Sequence, residues 1–276
     1  MVADFGGQHT GQRFETFSFL FLDPDRNTQW FLRQLSFRSS HHLGRRRMAF
    51  KSLNDQIRKQ ALVPFLSMAN IIDGCLINFA ISRNSESLFE RETDAGTSDD
   101  LLSIWKPKVR ERVLRIVHLS AYFAAVFSRQ GQDLLWLIDE DDIAANDVQL
   151  THLTRVFATV LSHYLPHDLG HIRCGTSRSD SGKLDLEDLL AIPDLAAGAF
   201  GELGTGFVDQ NRFPRKGLQL PLPRGLTSKT LLISSWLAQS NSTLRRELFV
   251  LEPKVGQPGS RLTHCRIEPM QFHPDS

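Results

Sequence analysis

The spacing of apolar residues along this chain changes period several times, and each change marks an element. Val2 to Gly7 is a short apolar stretch closing on two glycines, which predicts a strand running into a tight turn. Arg13 to Leu22, RFETFSFLFL, alternates and is rich in Phe, so it predicts a second strand, with Gln8 to Gln12 as a hairpin turn. Asp23-Pro24-Asp25 stops that strand, and Thr28 to Leu35 reads as a short helix. From Ser52 to Ile72 the apolar residues Ile57, Ala61, Leu62, Phe65, Leu66 and Ala69 fall at helical spacing, with Ser52 or Asn54 as cap and a kink or break at Pro64. Cys75 to Ile81 reads as a strand. Val109 to Arg129 is a long amphipathic helix with a face of Val113, Ile116, Val117, Ser120, Ala121, Ala124 and Ala125, small enough for close packing on a sheet. Leu134 to Ile138 is an apolar run of strand length, expected at the centre of the sheet. Asn146 caps a helix that runs to about Tyr164 and ends at Pro166. His171 to Thr176 is another strand. Leu184 to Phe207 reads as two helical pieces split by Pro193, which suits a first helical turn. Thr230 to Gln239 reads as a helix carrying Trp236, and Leu248–Leu251 with Leu262–Ile267 as paired edge strands. Glu86 to Leu102 is a polar, acidic loop, and Gln210 to Lys229 a basic linker or flap.

This alternation predicts an α/β fold with a mixed sheet of about five strands flanked by helices. Composition adds limits. Lys and Arg number 32 against 31 acids, so no global basic field marks the chain as a nucleic-acid binder. Three scattered cysteines, Cys75, Cys174 and Cys265, have no metal-ligand spacing and suit a reducing, cytoplasmic compartment. The opening MVADFGGQHTG is unlike a signal peptide, and no apolar run approaches a membrane span, so no membrane association is expected. Gly201, Gly204 and Gly206 do not follow a strand and are not read as a cofactor loop. His163, His167 and His171 share fourfold spacing, but Pro166 and Gly170 interrupt it, which weakens a zinc reading.

Chemistry concentrates after Leu134–Ile138, where Asp139, Glu140, Asp141 and Asp142 follow one another. A solvated acidic loop is the plain reading. A functional site requires other carboxylates at the same rim, because burying such charge is costly unless it is paired or metal-bound. Asp4 ends the first strand, and Asp194 lies among Ala and Gly on a helix that must approach its neighbours closely. The densest positive run includes Arg38, Arg45, Arg46, Arg47 and Lys51. It is either a solvated face or a set of phosphate contacts. No Gly-x-Ser-x-Gly elbow is present, and Cys174 reads as a small buried hydrophobe, so a Ser or Cys nucleophile is a minor reading.

VADFGG, the Phe-rich strand, WLIDEDDI and LLAIPDLAAGAF together resemble the RNase H-like superfamily, and within it the bacterial domain-of-unknown-function 3800 family. That family opens on Asp-Glu-Ser-Gly, has a mid-chain strand ending in Asp, and carries a late helix of the form Gln-Leu-Ala-Asp-Leu-Ile-Ala-Gly. Asp4, Asp139 and Asp194 match in turn, with Phe5-Gly6-Gly7 in place of Glu-Ser-Gly. The resemblance covers roughly residues 1–207, which implies an RNase H-like domain followed by an extension over 208–276. It also implies a divalent-metal-dependent nuclease. Asp4, Asp139 and Asp194 would then be catalytic, and these three with Glu140 would hold Mg²⁺ or Mn²⁺. Asp142, Glu187 and Asp188 are further candidate ligands. Arg45, Arg46, Arg47 and Lys51 would contact nucleic acid, DNA or RNA. The alternative is a catalytically silent RNase H-like module that binds nucleic acid, a protein partner or a second copy, as a subunit of a bacterial defence or mobile-element system.

Overall fold

A computed structural model describes residues 1–7, 11–89, 101–180, 182, 184–209, 219–220, 222–254 and 256–267. The architecture is mixed α/β. The strands are β1 Val2–Gly6, β2 Phe14–Leu22, β3 Gly74–Ser82, β4 Leu134–Ile138, β5 Ile172–Thr176, β6 Gln219–Leu220, β7 Leu244–Pro253 and β8 Ser260–Ile267. The helices are α1 Thr28–Ser40, α2 Gln56–Ala69, α3 Pro107–Phe127, α4 Asp147–Tyr164, α5 Asp185–Asp209 and α6 Ser228–Leu237. Among the described residues eight strands stand where about five were expected. Contacts group into two units, one of residues 1–3 with 86–181 and one of 4–85 with 182–276. The division falls inside β1.

In the first unit the strand order is β5-β4-β1. Both pairings are parallel, with Leu134 opposite Ile172, Val2 opposite Leu137 and Ala3 opposite Ile138. Leu134–Ile138 lies between β5 and β1. Trp136, fully buried, packs its ring 4.6 Å from Phe157 of α4. The Asn146 side chain accepts from the Gln149 N–H at 2.9 Å and caps α4, as its position predicts. The helix α3 lies against α4, with Val113, Ile116, Val117, Ala121 and Ala124 buried.

In the second unit β2 and β3 are antiparallel, β3 and β7 parallel, and β7 and β8 antiparallel, with β6 parallel to the end of β8. So β7 is an interior strand, whereas its composition had suggested an edge. Both faces of β2 and β3 are buried. Phe14, Thr16, Ser18 and Leu20 lie on one face of β2, and Phe17, Phe19 and Phe21 on the other. The helix α5 lies against the Thr16 face. A Cβ on Gly204 would come within 2.9 Å of the Phe14 ring, and one on Gly201 within 3.4 Å of Thr16. Gly201 and Gly204, which fit no cofactor loop, serve this close approach.

Two helix boundaries differ from expectation. Asp55, not Ser52 or Asn54, caps α2 by accepting from the Ile57 N–H at 2.8 Å, and Pro64 sits inside the helix. Pro193 likewise lies inside α5, which is one helix of 25 residues and not two pieces. A proline inside a helix costs about 3 kcal/mol. Burying Leu190, Ile192, Leu195, Phe200, Leu203 and Phe207 together outweighs that, at about 1.5–3 kcal/mol each.

Candidate metal-binding carboxylates

In the first unit the acidic run begins directly after β4, and protein groups partner it. Asp139 Oδ1 accepts from the Ser177 hydroxyl at 3.1 Å and from the Glu140 N–H at 3.0 Å. Glu140 pairs with Arg178. Arg112, a nearly buried residue of α3, bridges Asp141 at 3.1 Å and Asp142. Burial raises the Asp141 carboxyl above its ordinary value, with Arg112 and the Ile143 N–H opposing and Asp142 adding to the rise. This group therefore detracts from stability at neutral pH, and the penalty is relieved as pH falls through its raised folded value.

Glu111 behaves in the opposite way. Burial pushes its carboxyl up, but the Leu88 N–H, the Ser87 hydroxyl and the Arg115 guanidinium outweigh burial and hold it below the ordinary 4.5. It accepts from Ser87 at 2.7 Å, Leu88 at 2.9 Å and Phe89 at 3.3 Å, pinning residues 87–89 to α3. Its contribution is complete above 4.5 and is lost as pH falls through the depressed folded value. In an NMR titration the Leu88 and Phe89 amide shifts should hold steady from neutral pH to below the ordinary glutamate range. In Glu111→Gln they should already differ at pH 7. Wild-type shifts that move at the ordinary glutamate value would contradict this clasp.

In the second unit Asp4 and Asp194 lie on facing elements. Asp4 and Gly6 share a face of β1 because side chains alternate along a strand. A Cβ on Gly6 would sit 3.8 Å from Ala197 of α5, so Asp4 lies on the α5 side of its strand. Asp194 is half-buried, and its Oδ2 accepts from the Phe50 N–H at 2.7 Å. It lies nine residues into α5, so the helix terminus does not offset its charge as the split-helix expectation implied. The Phe50 ring fills the notch over Gly198, where a Cβ would lie 2.3 Å from Phe50 Cγ. Lys229 closes the cluster, its Nζ 3.8 Å above the Phe50 ring and 3.1 Å from the Phe50 carbonyl.

Two other acids have structural partners. Asp188 is fully buried and accepts from Arg38 at 2.7 Å and Gln34 at 2.6 Å. Arg38 also donates to the Gly44 and Arg46 carbonyls, at 2.7 and 2.9 Å, and so ties down the basic loop. Sequence reasoning did not find this pair. Its signal was present, since Trp30, Gln34, Phe37 and Arg38 fall on one helical face and all are buried. Within the basic run Arg46 lies 3.5 Å from Asp55 and Arg47 3.4 Å from Glu187. Arg45 and Lys51 are exposed and in no ion pair among the described residues. The anticipated patch of free arginines is therefore partly neutralised. Residues 210–218 of the expected basic flap lie outside the described residues, as do residues 90–100 of the acidic loop.

The donor chemistry of Asp4, Asp139, Glu140 and Asp194 suits Mg²⁺ or Mn²⁺, which take oxygen ligands. Among the described residues, however, no three His, Cys, Asp or Glu side chains stand together as metal ligands, so no metal step is assigned to them. His167 bonds Ser128 and His171 bonds Asp133. Burial pushes all three cysteine thiols up to about 11, which leaves no thiolate nucleophile near neutral pH. No helix among the described residues is long and apolar enough to cross a membrane.

No protein-family model matches the chain, and no curated protein matches it. Among solved structures it is similar to a chain of the PCNA–RNase HII complex from Archaeoglobus fulgidus. The identity is 14% and the TM-score 0.38, over 89% of this chain and 92% of that chain.

Proposed function

We propose that this protein is a divalent-metal-dependent nuclease of RNase H-like fold, cleaving phosphodiester bonds in DNA or RNA. The observation that carries the reading is the placement of Asp4 on the side of β1 that faces α5, the helix bearing Asp194. Asp4, Asp139, Glu140 and Asp194 are the oxygen donors this reading requires, and Mg²⁺ or Mn²⁺ would supply water activation and stabilisation of the leaving oxygen.

The second reading is a catalytically silent module that binds nucleic acid or a partner protein. It is favoured by the lack of a three-acid cluster among the described residues and by the protein partners that Asp139, Glu140 and Asp194 already have. A cleavage assay on mixed DNA and RNA oligonucleotides decides between them, run with Mg²⁺ or Mn²⁺ and with EDTA, and with Asp194→Asn as control. Metal-dependent cleavage that the variant loses is the expected result. Intact binding without cleavage would leave the silent module standing, and neither binding nor cleavage would remove both readings.

A further inference from the structure

We infer that the open face of β7 and β8 is a stacking platform for single-stranded nucleic acid, distinct from the carboxylates above. Three rings form a ladder across β3, β7 and β8. Phe79 stacks on Phe249 with centroids 4.9 Å apart and planes 18° apart, and Phe249 stacks on His264 at 4.8 Å and 23°. Phe249 lies directly opposite His264 in the antiparallel register, and Leu251 opposite Leu262, so all four share one face. The ladder runs from core to surface. Phe79 is 5% exposed, the His264 side chain 43% and Leu262 56%.

The His264 ring is held flat by its neighbours, since Nε2 lies 2.7 Å from Glu247 Oε2. A ring stacked on another ring and with its side chain 43% exposed is a ready surface for a base, and every base offers a π-face. Alternation along the strands puts Arg245 and Arg266 on the same face as the ladder. Both are exposed, and neither makes an ion pair or a side-chain hydrogen bond among the described residues. That combination, a stacking ring with two uncommitted cations on one strand pair, fits the sugar–phosphate backbone and unstacked bases of a single strand. Glu247 is paired with His264, so Arg245 and Arg266 are the charges on this face that have no counter-ion among the described residues, which suits phosphate.

The proposal goes beyond the nuclease reading and does not need it, because binding is measurable without cleavage. Fluorescence anisotropy with labelled oligo-dT and oligo-rU in EDTA reads binding alone. Wild type should bind. His264→Ala should weaken binding by about fivefold to a hundredfold, and His264→Tyr should restore it. Arg245→Ala with Arg266→Ala should make the slope of log affinity against log salt less steep by about 1.4. Circular dichroism and thermal unfolding confirm that the variants fold. Unchanged affinity in His264→Ala, or loss through Arg45→Glu with no effect of the β8 variants, would overturn the platform. A dimer that His264→Ala dissociates, with no oligonucleotide bound by wild type, would make this face a self-association surface and also overturn it. Metal-dependent cleavage, or its absence, is scored separately and bears only on the carboxylates.

Discussion

Replacing Asp188 with alanine is expected to destabilise the protein by about 3–5 kcal/mol, since it strands the buried Arg38 guanidinium without its counter-charge. Asp188 is 0% exposed and Arg38 6%, so water reaches neither partner readily. Two carbonyl acceptors remain for Arg38 in the variant, from Gly44 and Arg46, but neither supplies a charge. Removing both partners should cost much less than removing one. An apolar pair such as Arg38→Met with Asp188→Leu avoids the desolvation penalty that a lone charge carries. Urea unfolding of wild type, the single variant and the double variant tests this directly. A double variant as unstable as Asp188→Ala would mean that the basic loop, and not the buried charge, is what the pair holds. A loss under about 1 kcal/mol in the single variant would place the pair among exposed ion pairs, against its burial.

Gly198→Ala is expected to lower stability by about 1–3 kcal/mol, the range for overpacking a tight contact. Alanine is the better helix former by about 1 kcal/mol, so in open surroundings the substitution would stabilise α5. Here the new Cβ would lie 2.3 Å from Phe50 Cγ, and the ring has to leave its notch. With it move the Phe50 N–H that bonds Asp194 and the Phe50 carbonyl that accepts from Lys229. The control is Phe50→Ala with Gly198→Ala. Once the ring is gone the alanine at 198 should show its helix preference, so the pair should couple strongly in a double-mutant cycle. Chemical denaturation gives the energies, and the Phe50 amide resonance reports whether its bond to Asp194 survives. Additive energies would show that the Phe50 ring does not depend on the glycine.

The positions of β2, β3, β4, β5, α3 and α4 were legible because periodicity is a local property. A strand buried on both faces leaves a run like FETFSFLFL, and a helix against a sheet leaves small and apolar residues three and four apart. Asn146 was legible as a cap for the same reason, since its bond to the Gln149 N–H spans three residues. Pro193 and Pro64 misled. Their local cost is real, but burial along one continuous helix exceeds it.

Sequence by itself determined the mixed α/β class, most element boundaries and the short list of acids, because each follows from residue type and spacing along a few turns of chain. Tertiary structure decided everything that depends on partners distant in sequence. Arg38 meets Asp188 across 150 residues, and Phe50 meets Asp194 across 144. Arg46 and Arg47 find carboxylates that turn an apparent cationic patch into ion pairs. β7 becomes interior because β3 hydrogen-bonds it in parallel, an alignment no turn between them encodes. The physical reason is the same in each case: a side chain's charge and hydrogen-bonding capacity are local, but what satisfies them is set by which surfaces the folded chain brings together.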